Sequence, residues 1–266
     1  MFNFKVKALL AASLLAVALP ASAAMTTSGS GASSLILTVF DMNTGGKTAT
    51  FDLGFDKNSF LSNQNLTAID LTTGDYATAW NAFTAGSTMT NVQYAIFAGD
   101  YSGTTNTDYS YFTTAGGASM ASLFNSSLNT QLGNLDTYIG NVNNLTNHNT
   151  VANGGSISAS GAAGYARVST FYGTSNGKIG TFGGDATGSL GTNLNVWNIA
   201  GVEGGAGGSI TPVKLEVNGF NPFFNLSSSG VLNYTAVAAV PEADTSLMML
   251  AGMGLMGLIA RRRKSV

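Results

Sequence analysis

Few side chains in this sequence could perform acid–base or metal chemistry. The single histidine, His148, lies in the turn-forming stretch TNHNT, and no second histidine is present to complete a metal pair. A serine nucleophile would need a base and an acid positioned around this ring, so a Ser-His-Asp site is the alternative interpretation. The sequence favours an exposed loop histidine without a chemical role.

Two pairs of aspartates are the other candidates for chemistry. Asp52 and Asp56 lie in TFDLGFD, and Asp100 and Asp108 lie in AGDYSGTTNTD. Paired carboxylates can serve a glycosidase, or they can bind Ca²⁺ together with loop oxygens. Because Asp52 alternates with apolar neighbours, we expect it on the solvated face of a strand. The Asp100 loop is the better calcium candidate, although it lacks the regular D-x-D-x-D-G ligand pattern.

Aromatic residues cluster around the second aspartate pair. Tyr101, Tyr109, Tyr111 and Phe112 lie close together in sequence, among Asn and Thr residues. Aromatic faces combined with hydroxyl groups are typical of sugar binding. The simpler alternative places Tyr109 and Phe112 in the core and the other rings beside a turn. We therefore assign no catalytic residue, no metal ligand and no cofactor, and we expect a protein that is not an enzyme.

The elements that must carry these residues are predominantly strands. The chain has 34 glycines and 4 prolines, and Thr, Val, Phe and Tyr recur in short runs, several of which alternate apolar and polar residues. A hairpin turn, DMNTGGK, separates the first two runs. The fold class predicted is a mainly β, antiparallel, sandwich-like domain. Its strands are predicted at residues 33–40, 47–55, 91–99, 165–172, 193–200, 212–220 and 230–240.

Two stretches have helical spacing instead. YATAWNAF places Tyr76, Ala79, Trp80 and Phe83 on one face of a short helix. A longer apolar stripe runs through residues 120–145, and its other face is Ser and Asn, so it needs packing to persist. We predict a helical insertion lying across one side of the β core, with a partner-binding helix as the alternative. Residues 147–164 are predicted to form a flexible loop.

The N-terminal segment has the three parts of a secretory signal peptide. Lys5 and Lys7 precede an apolar run, and Ala21 and Ala23 form an A-x-A cleavage site. A first transmembrane helix is the alternative, but the apolar run is short and ends in proline. We predict a signal peptide over residues 1–23.

The C-terminal residues 240–266 have a matching three-part ending, which follows an exported body of residues 24–239. Val240, Pro241 and Glu242 are followed by an uncharged run of Leu, Met and Gly. That run is shorter than the about 20 apolar residues of a full span, so it crosses a membrane only if arginine stems snorkel, or it serves as a temporary anchor. A basic cluster closes the chain: Arg261, Arg262, Arg263 and Lys264. Such clusters stay on the cytoplasmic side, which sets the orientation of the helix.

These residues make the ending similar to a PEP-CTERM sorting signal, the tail of exported proteins in exopolysaccharide-producing Gram-negative bacteria. Ala243 stands where that motif has its second proline. The resemblance implies recognition by an exosortase, a membrane transpeptidase, with cleavage near Pro241 and Glu242. It also implies a transient stay in the inner membrane and delivery to the cell surface or extracellular matrix. An ordinary C-terminal inner-membrane anchor is the alternative.

The body between the two ends is acidic and has no cysteine. Residues 25–240 contain five basic and eleven acidic residues, a net charge of about −6. This charge argues against nucleic acid or an anionic membrane surface as a partner. The absence of cysteine excludes disulfides and thiol chemistry. We expect a structural or adhesive role in exopolysaccharide or biofilm, with a carbohydrate-binding module or a polysaccharide hydrolase as alternatives.

Overall fold

The computed structural model describes residues 24–117, 120–145, 148, 153–167 and 186–236. The chain divides into two units, Met1–Ala236 and Val237–Val266, and every described residue belongs to the first. The predicted signal peptide and sorting tail lie outside the described residues. Among these residues no helix is long and apolar enough to cross a membrane.

The described part of the chain contains thirteen strands and three α-helices, in addition to short 3₁₀ turns. The strands are β1 (Ser34–Asp41), β2 (Thr48–Asp56), β3 (Ile69–Asp70), β4 (Val92–Asp100), β5 (Ser110–Ala115), β6 (Leu123–Phe124), β7 (Gly155–Ser158), β8 (Gly188–Ser189), β9 (Leu194–Ala200), β10 (Ser209–Ile210), β11 (Val213–Lys214), β12 (Phe223–Leu226) and β13 (Val231–Thr235). The helices are α1 (Lys57–Asn63), α2 (Ala77–Thr84) and α3 (Asn125–Asn143).

Eleven of these strands form one antiparallel sheet that curves into a half-barrel. The strand order is β3-β13-β12-β9-β5-β4-β1-β2-β7, with β11 added beside β9 and β8 beside β4. The remaining two strands, β6 and β10, pair with each other. The two ends of the strand order, β3 and β7, therefore bound the opening of the half-barrel.

Side chains of the central strand β1 alternate between two hydrophobic cores. Leu35, Leu37 and Val39 belong to an inner core, which also contains buried residues of α1 and α2. Ile36 and Phe40 point to an outer core, which is built with the apolar stripe of α3. All eight residues of β1 are buried, because each face of the sheet is covered.

The aromatic ring of Phe60 joins α1 to strands from separate parts of the sheet. Asp56 caps α1 by accepting hydrogen bonds from the backbone N–H groups of Asn58 and Ser59, both at 2.9 Å. The helix thereby places Phe60 inside the half-barrel, where its ring lies 5.4 Å from Phe112, 5.6 Å from Phe224 and 5.0 Å from Tyr234. These rings belong to β5, β12 and β13, so one side chain links three strands to one helix.

Helix α2 packs across the inner face from one side of the opening to the other. A Cβ atom added at Gly155, in β7, would lie 2.9 Å from Ala79 Cβ. A Cβ added at Gly230, next to β13, would lie 2.7 Å from the Trp80 ring, and Gly230 has a φ of +90°. Glycine is needed at both places because the helix approaches the backbone closely.

Helix α3 covers the outer face, as the spacing in its sequence predicts. Leu128, Leu132, Leu135, Ile139 and Val142 are fully buried in the outer core. The helix also holds the N-terminal end of the body. Asp136 accepts hydrogen bonds from the Ser28 hydroxyl at 2.7 Å and from the Gly29 N–H at 2.9 Å.

The prediction of a mainly β, antiparallel fold with a helical insertion is confirmed. The structure differs from the predicted sandwich in one respect. A single curved sheet with helices on its faces takes the place of two facing sheets. Strands are confirmed near residues 33–40, 47–55, 91–99 and 193–200 and in the first half of 230–240. The hairpin turn between β1 and β2 and the short helix α2 are confirmed as well.

Several predicted elements are wrong. The strand predicted at 212–220 is reduced to the two residues of β11, because Val217 and Phe220 pair with each other across a turn at Asn218 and Gly219. Residues 165–167 are not in a strand, and the rest of the strand predicted at 165–172 lies outside the described residues. The loop predicted at 147–164 contains β7. Helix α1 and strands β5 and β12 were not predicted.

The inner core predicts a large effect for Phe60→Ala. Removing a fully buried aromatic ring is expected to lower the free energy of unfolding by about 3–5 kcal/mol. Phe124 is 54% exposed, so Phe124→Ala is the matched control, with an expected change of about 0.5 kcal/mol. Urea unfolding, followed by the fluorescence of the buried Trp80 and Trp197, measures both variants. Equal stability of the two variants would contradict the role assigned to Phe60.

Candidate functional site

Asp52 lies in a buried position, contrary to the prediction of a solvated one. The residue is 7% exposed, and its carboxylate accepts a hydrogen bond from the Gly54 N–H at 3.0 Å. The face on which it lies is covered, since the neighbouring Thr50 hydroxyl bonds to Tyr138 of α3. Burial raises the pKa of Asp52, although the bonds from Gly54 and Ser34 oppose this effect.

The remaining predicted aspartates hold local turns. Asp56 caps α1, as described above. Asp108 accepts hydrogen bonds from the backbone N–H groups of Thr104 and Thr105 at 3.0 Å and 2.9 Å, and these bonds lower its pKa. Asp100 accepts a bond from the Ser102 hydroxyl at 2.8 Å. The described residues contain no group of three or more His, Asp or Glu side chains that could hold a metal ion.

His148 is also buried, although the sequence predicts an exposed loop residue. The ring is fully inaccessible, and neither ring nitrogen forms a hydrogen bond of normal geometry with the described residues. Burial lowers its pKa to about 4, because the charged imidazolium loses its hydration, while the nearby backbone of Thr50 acts in the opposite direction. A neutral ring in this position belongs to the packing of the fold.

The aromatic cluster is divided between different places in the fold. Phe112 and Tyr111 are adjacent on β5 and lie in the inner and outer cores respectively. Tyr101 and Tyr109 are half-buried and pack edge to face, with ring centres 4.5 Å apart. Of the alternative that placed Tyr109 and Phe112 in the core, the part on Phe112 is confirmed, whereas Tyr109 is only half-buried and Tyr111 is buried instead of lying beside a turn. The four rings do not form one sugar-binding surface.

A cleft that the sequence did not predict lies at the opening of the half-barrel. It has a volume of about 320 Å³ and is lined by Ile69, Asp70, Thr73, Gly74, Asp75, Tyr76 and Asn153. Ile69 and Asp70 form β3, one end of the strand order, and Asn153 lies two residues before β7, the other end. No local sequence signal joins Asn153 to the 69–76 segment, because only the curvature of the sheet brings them together.

The side chains of the cleft are held by contacts to the surrounding fold. Asp70 accepts hydrogen bonds from the N–H and hydroxyl groups of Thr72, at 2.9 Å and 2.6 Å, which lower its pKa. The Tyr76 hydroxyl donates to the Asp52 carbonyl at 2.7 Å. Burial, together with the charges of Asp52 and Asp75, raises the pKa of Tyr76. The phenol therefore stays neutral, while Asp70 is ionised at neutral pH.

The C-terminal segment is the part of the chain for which a known family is found. Residues 239–264 match the family model described as the PEP-CTERM protein-sorting motif. This chain carries a PEP-CTERM sorting signal. Signals of this class are recognised by exosortase, a membrane enzyme, and they imply export and sorting to the cell surface in Gram-negative bacteria. No curated protein and no solved structure matches the chain.

The matched range of the PEP-CTERM motif includes the residues to which the sequence assigns sorting. Val240, Pro241 and Glu242 lie at its start, and the cluster of Arg261, Arg262, Arg263 and Lys264 lies at its end. These residues, like the signal-cleavage residues Ala21 and Ala23, lie outside the described residues. Their individual roles therefore stay predictions.

The buried His148 predicts a loss of stability in mild acid. Its pKa of about 4 in the folded state lies below the ordinary value of 6.5, so the unfolded chain binds the additional proton as the pH falls. Stability due to the neutral ring is complete above pH 6.5 and decreases toward pH 4. Between pH 7 and pH 5 the free energy of unfolding is expected to fall by about 2 kcal/mol.

Urea unfolding at several pH values tests this expectation, with His148→Leu as the comparison. The variant should lose most of the pH dependence between pH 7 and pH 5. Asp52 has a raised pKa and acts with the opposite sign, but it is present in both proteins, so the difference between the wild type and His148→Leu reports the histidine. If the free energy of unfolding of His148→Leu falls between pH 7 and pH 5 as steeply as that of the wild type, another group causes the effect.

Proposed function

We propose that this protein is an exported structural or adhesive component of the exopolysaccharide matrix, which an exosortase releases or transfers from the inner membrane. The observation that carries the proposal is the match of residues 239–264 to the PEP-CTERM sorting motif. The proposed route begins with a signal peptide at residues 1–23, which is cleaved after Ala23. The proposed processing occurs near Pro241 and Glu242.

The tail supports a temporary rather than permanent stay in the membrane. Its apolar run is shorter than the about 20 residues of a full transmembrane helix, and Arg261, Arg262 and Arg263 follow it directly. A short helix held by cytoplasmic arginines is weakly anchored once the chain on its outer side is cut. We therefore propose an orientation with the C-terminus in the cytoplasm and the body outside.

The composition of the body supports an extracellular structural role. Only 9% of the chain is charged, and the body contains many Asn, Thr, Ser and Gly residues. The fold is stabilised without cysteine, by cores on both faces of one sheet. A body without cysteine needs no oxidant to fold after export.

A carbohydrate-binding module is the second candidate function. The cleft at the opening of the half-barrel favours it, because carboxylates, an amide and an aromatic ring line a shallow depression there. In this function the body would attach to the matrix directly. The two candidates share the same route to the surface.

The proposed route is tested by the intact mass and the cellular fraction of the protein in producing cells. We expect an extracellular species that starts near Ala24 and lacks everything after the Pro241 region. A species that keeps Arg261 to Lys264 in the inner membrane would show an ordinary anchor and would contradict the proposal.

Arginine variants of the tail separate recognition of the signal from anchoring by charge. Replacing Arg261, Arg262 and Arg263 with alanine is expected to leave the precursor unprocessed. The matched variant with three lysines keeps the positive charge and therefore the orientation in the membrane. Normal processing of the alanine variant would show that the arginine cluster is not part of the signal that the exosortase recognises.

A further inference from the structure

We propose that the cleft at the opening of the half-barrel binds a glycan that carries hydroxyl groups and no acid groups. The binding residues are Asp70, Asp75 and Asn153, with Tyr76 as the apolar wall. This inference names the ligand class for the second candidate function. It rests on the proposed export only because export would bring the protein to the place where it meets that ligand.

The position of the cleft in the fold makes it a site that a ligand can reach. Within the described part of the chain, strand β3 pairs with β13 alone and stands at the end of the strand order, and its residues Ile69 and Asp70 line the cleft. Asp70, Asp75 and Asn153 are exposed, while Tyr76 is half-buried. The volume of about 320 Å³ is at the lower end of the range for small-molecule sites, which suits a short stretch of a sugar chain.

The polar groups have the chemistry that sugar hydroxyls require. A carboxylate accepts hydrogen bonds from hydroxyl groups, and a side-chain amide both accepts and donates them. Thr72 occupies one oxygen of Asp70 and orients the carboxylate in advance. The Asp75 side chain forms no hydrogen bond with the described residues, so its oxygens can accept bonds from a ligand at no cost to the fold.

Tyr76 supplies a rigid ring at the base of the cleft. Its hydroxyl is bonded to the Asp52 carbonyl, and its ring packs edge to face against Phe51, with ring centres 5.9 Å apart. Because both contacts fix the ring, the ligand does not have to order it on binding. The apolar face of a sugar ring can then pack against an aromatic surface that is already in place.

The charges around the cleft exclude acidic glycans. Asp70 and Asp75 line it, Asp52 lies behind Tyr76, and none of the described lining residues is basic. A uronic acid would therefore meet carboxylates without a compensating cation. Because of this repulsion, we expect the cleft to bind neutral polysaccharides and not uronate polymers.

Affinity gel electrophoresis of the full chain tests the proposal, in a zwitterionic detergent without a sugar headgroup. The probes are dextran and galactomannan as neutral polymers and alginate as the uronate polymer. We expect slower migration in a gel that contains a neutral polymer and unchanged migration in alginate. Binding to neither neutral polymer, or binding to alginate, would overturn the assignment.

Asp75→Ala and Glu203→Ala form a matched pair of variants. Each removes one exposed carboxylate without a hydrogen bond to the described residues, so both migrate alike in a gel without polysaccharide. Glu203 lies beside Val202, which packs on the outer core, away from the cleft. Asp75→Ala is expected to weaken binding about ten- to a hundredfold, and Glu203→Ala to leave it unchanged. Equal binding by the two variants would refute the site.

Gly74→Asn provides an independent steric test. Gly74 has a φ of +57°, which asparagine adopts more readily than other residues, and no atom lies within 4 Å of an added Cβ. The variant should fold, as judged by unchanged tryptophan fluorescence, and should bind less because its side chain occupies the cleft.

The site and the export route can fail separately. If the wild-type protein is retained in the inner membrane of cells but binds the neutral polymers once purified, the site is upheld and the proposed route is rejected.

Discussion

Burial of both faces of one antiparallel sheet is the constraint on which the rest of this structure depends. An antiparallel sheet commonly leaves one face to water, but here helices cover both, α1 and α2 on the inner face and α3 on the outer. The chain has no cysteine, so these two cores must supply the stability that disulfides supply in many exported proteins. The contacts of Phe60 with three strands show how closely the inner core depends on one helix.

Two-sided burial also explains why polar residues within the sheet are not solvated. Thr38 and Thr50 lie on the outer face, where their hydroxyls meet the hydroxyl of Tyr138 from α3. Asp52 lies on the same strand as Thr50 and is buried with it. Each polar group therefore needs a partner within the protein, and the raised pKa of Asp52 reflects the cost of a carboxylate in such surroundings.

The opening of the half-barrel is the geometric result of a sheet that curves without closing. Its two ends, β3 and β7, do not pair with each other in the described part of the chain. Helix α2 contacts β7 and Gly230, beside β13, from the inside. The lining of the gap includes exposed polar side chains, Asp70 and Asp75 among them, and charged side chains lower the tendency of strand edges to associate with other chains. The cleft is thus a direct consequence of the topology.

The sorting signal and the elements with strong periodicity could be identified from the sequence alone. A sorting motif is read by another protein as a linear segment, so its residues are recognisable without the fold, and residues 239–264 are matched as such. Strand β2 and helix α3 were predictable because period-two and period-3.6 patterns are local properties. Strands β1 and β4 were predictable because short runs of β-branched and aromatic residues are local as well. Burial of Asp52 followed only from the tertiary structure, because α3 covers a face that alternation marks as polar. Burial of His148 has no local signal either, since TNHNT is a stretch of turn-forming residues. The tertiary structure also decided the cleft, because residues 69–76 and Asn153 meet only where the two ends of the curved sheet approach each other.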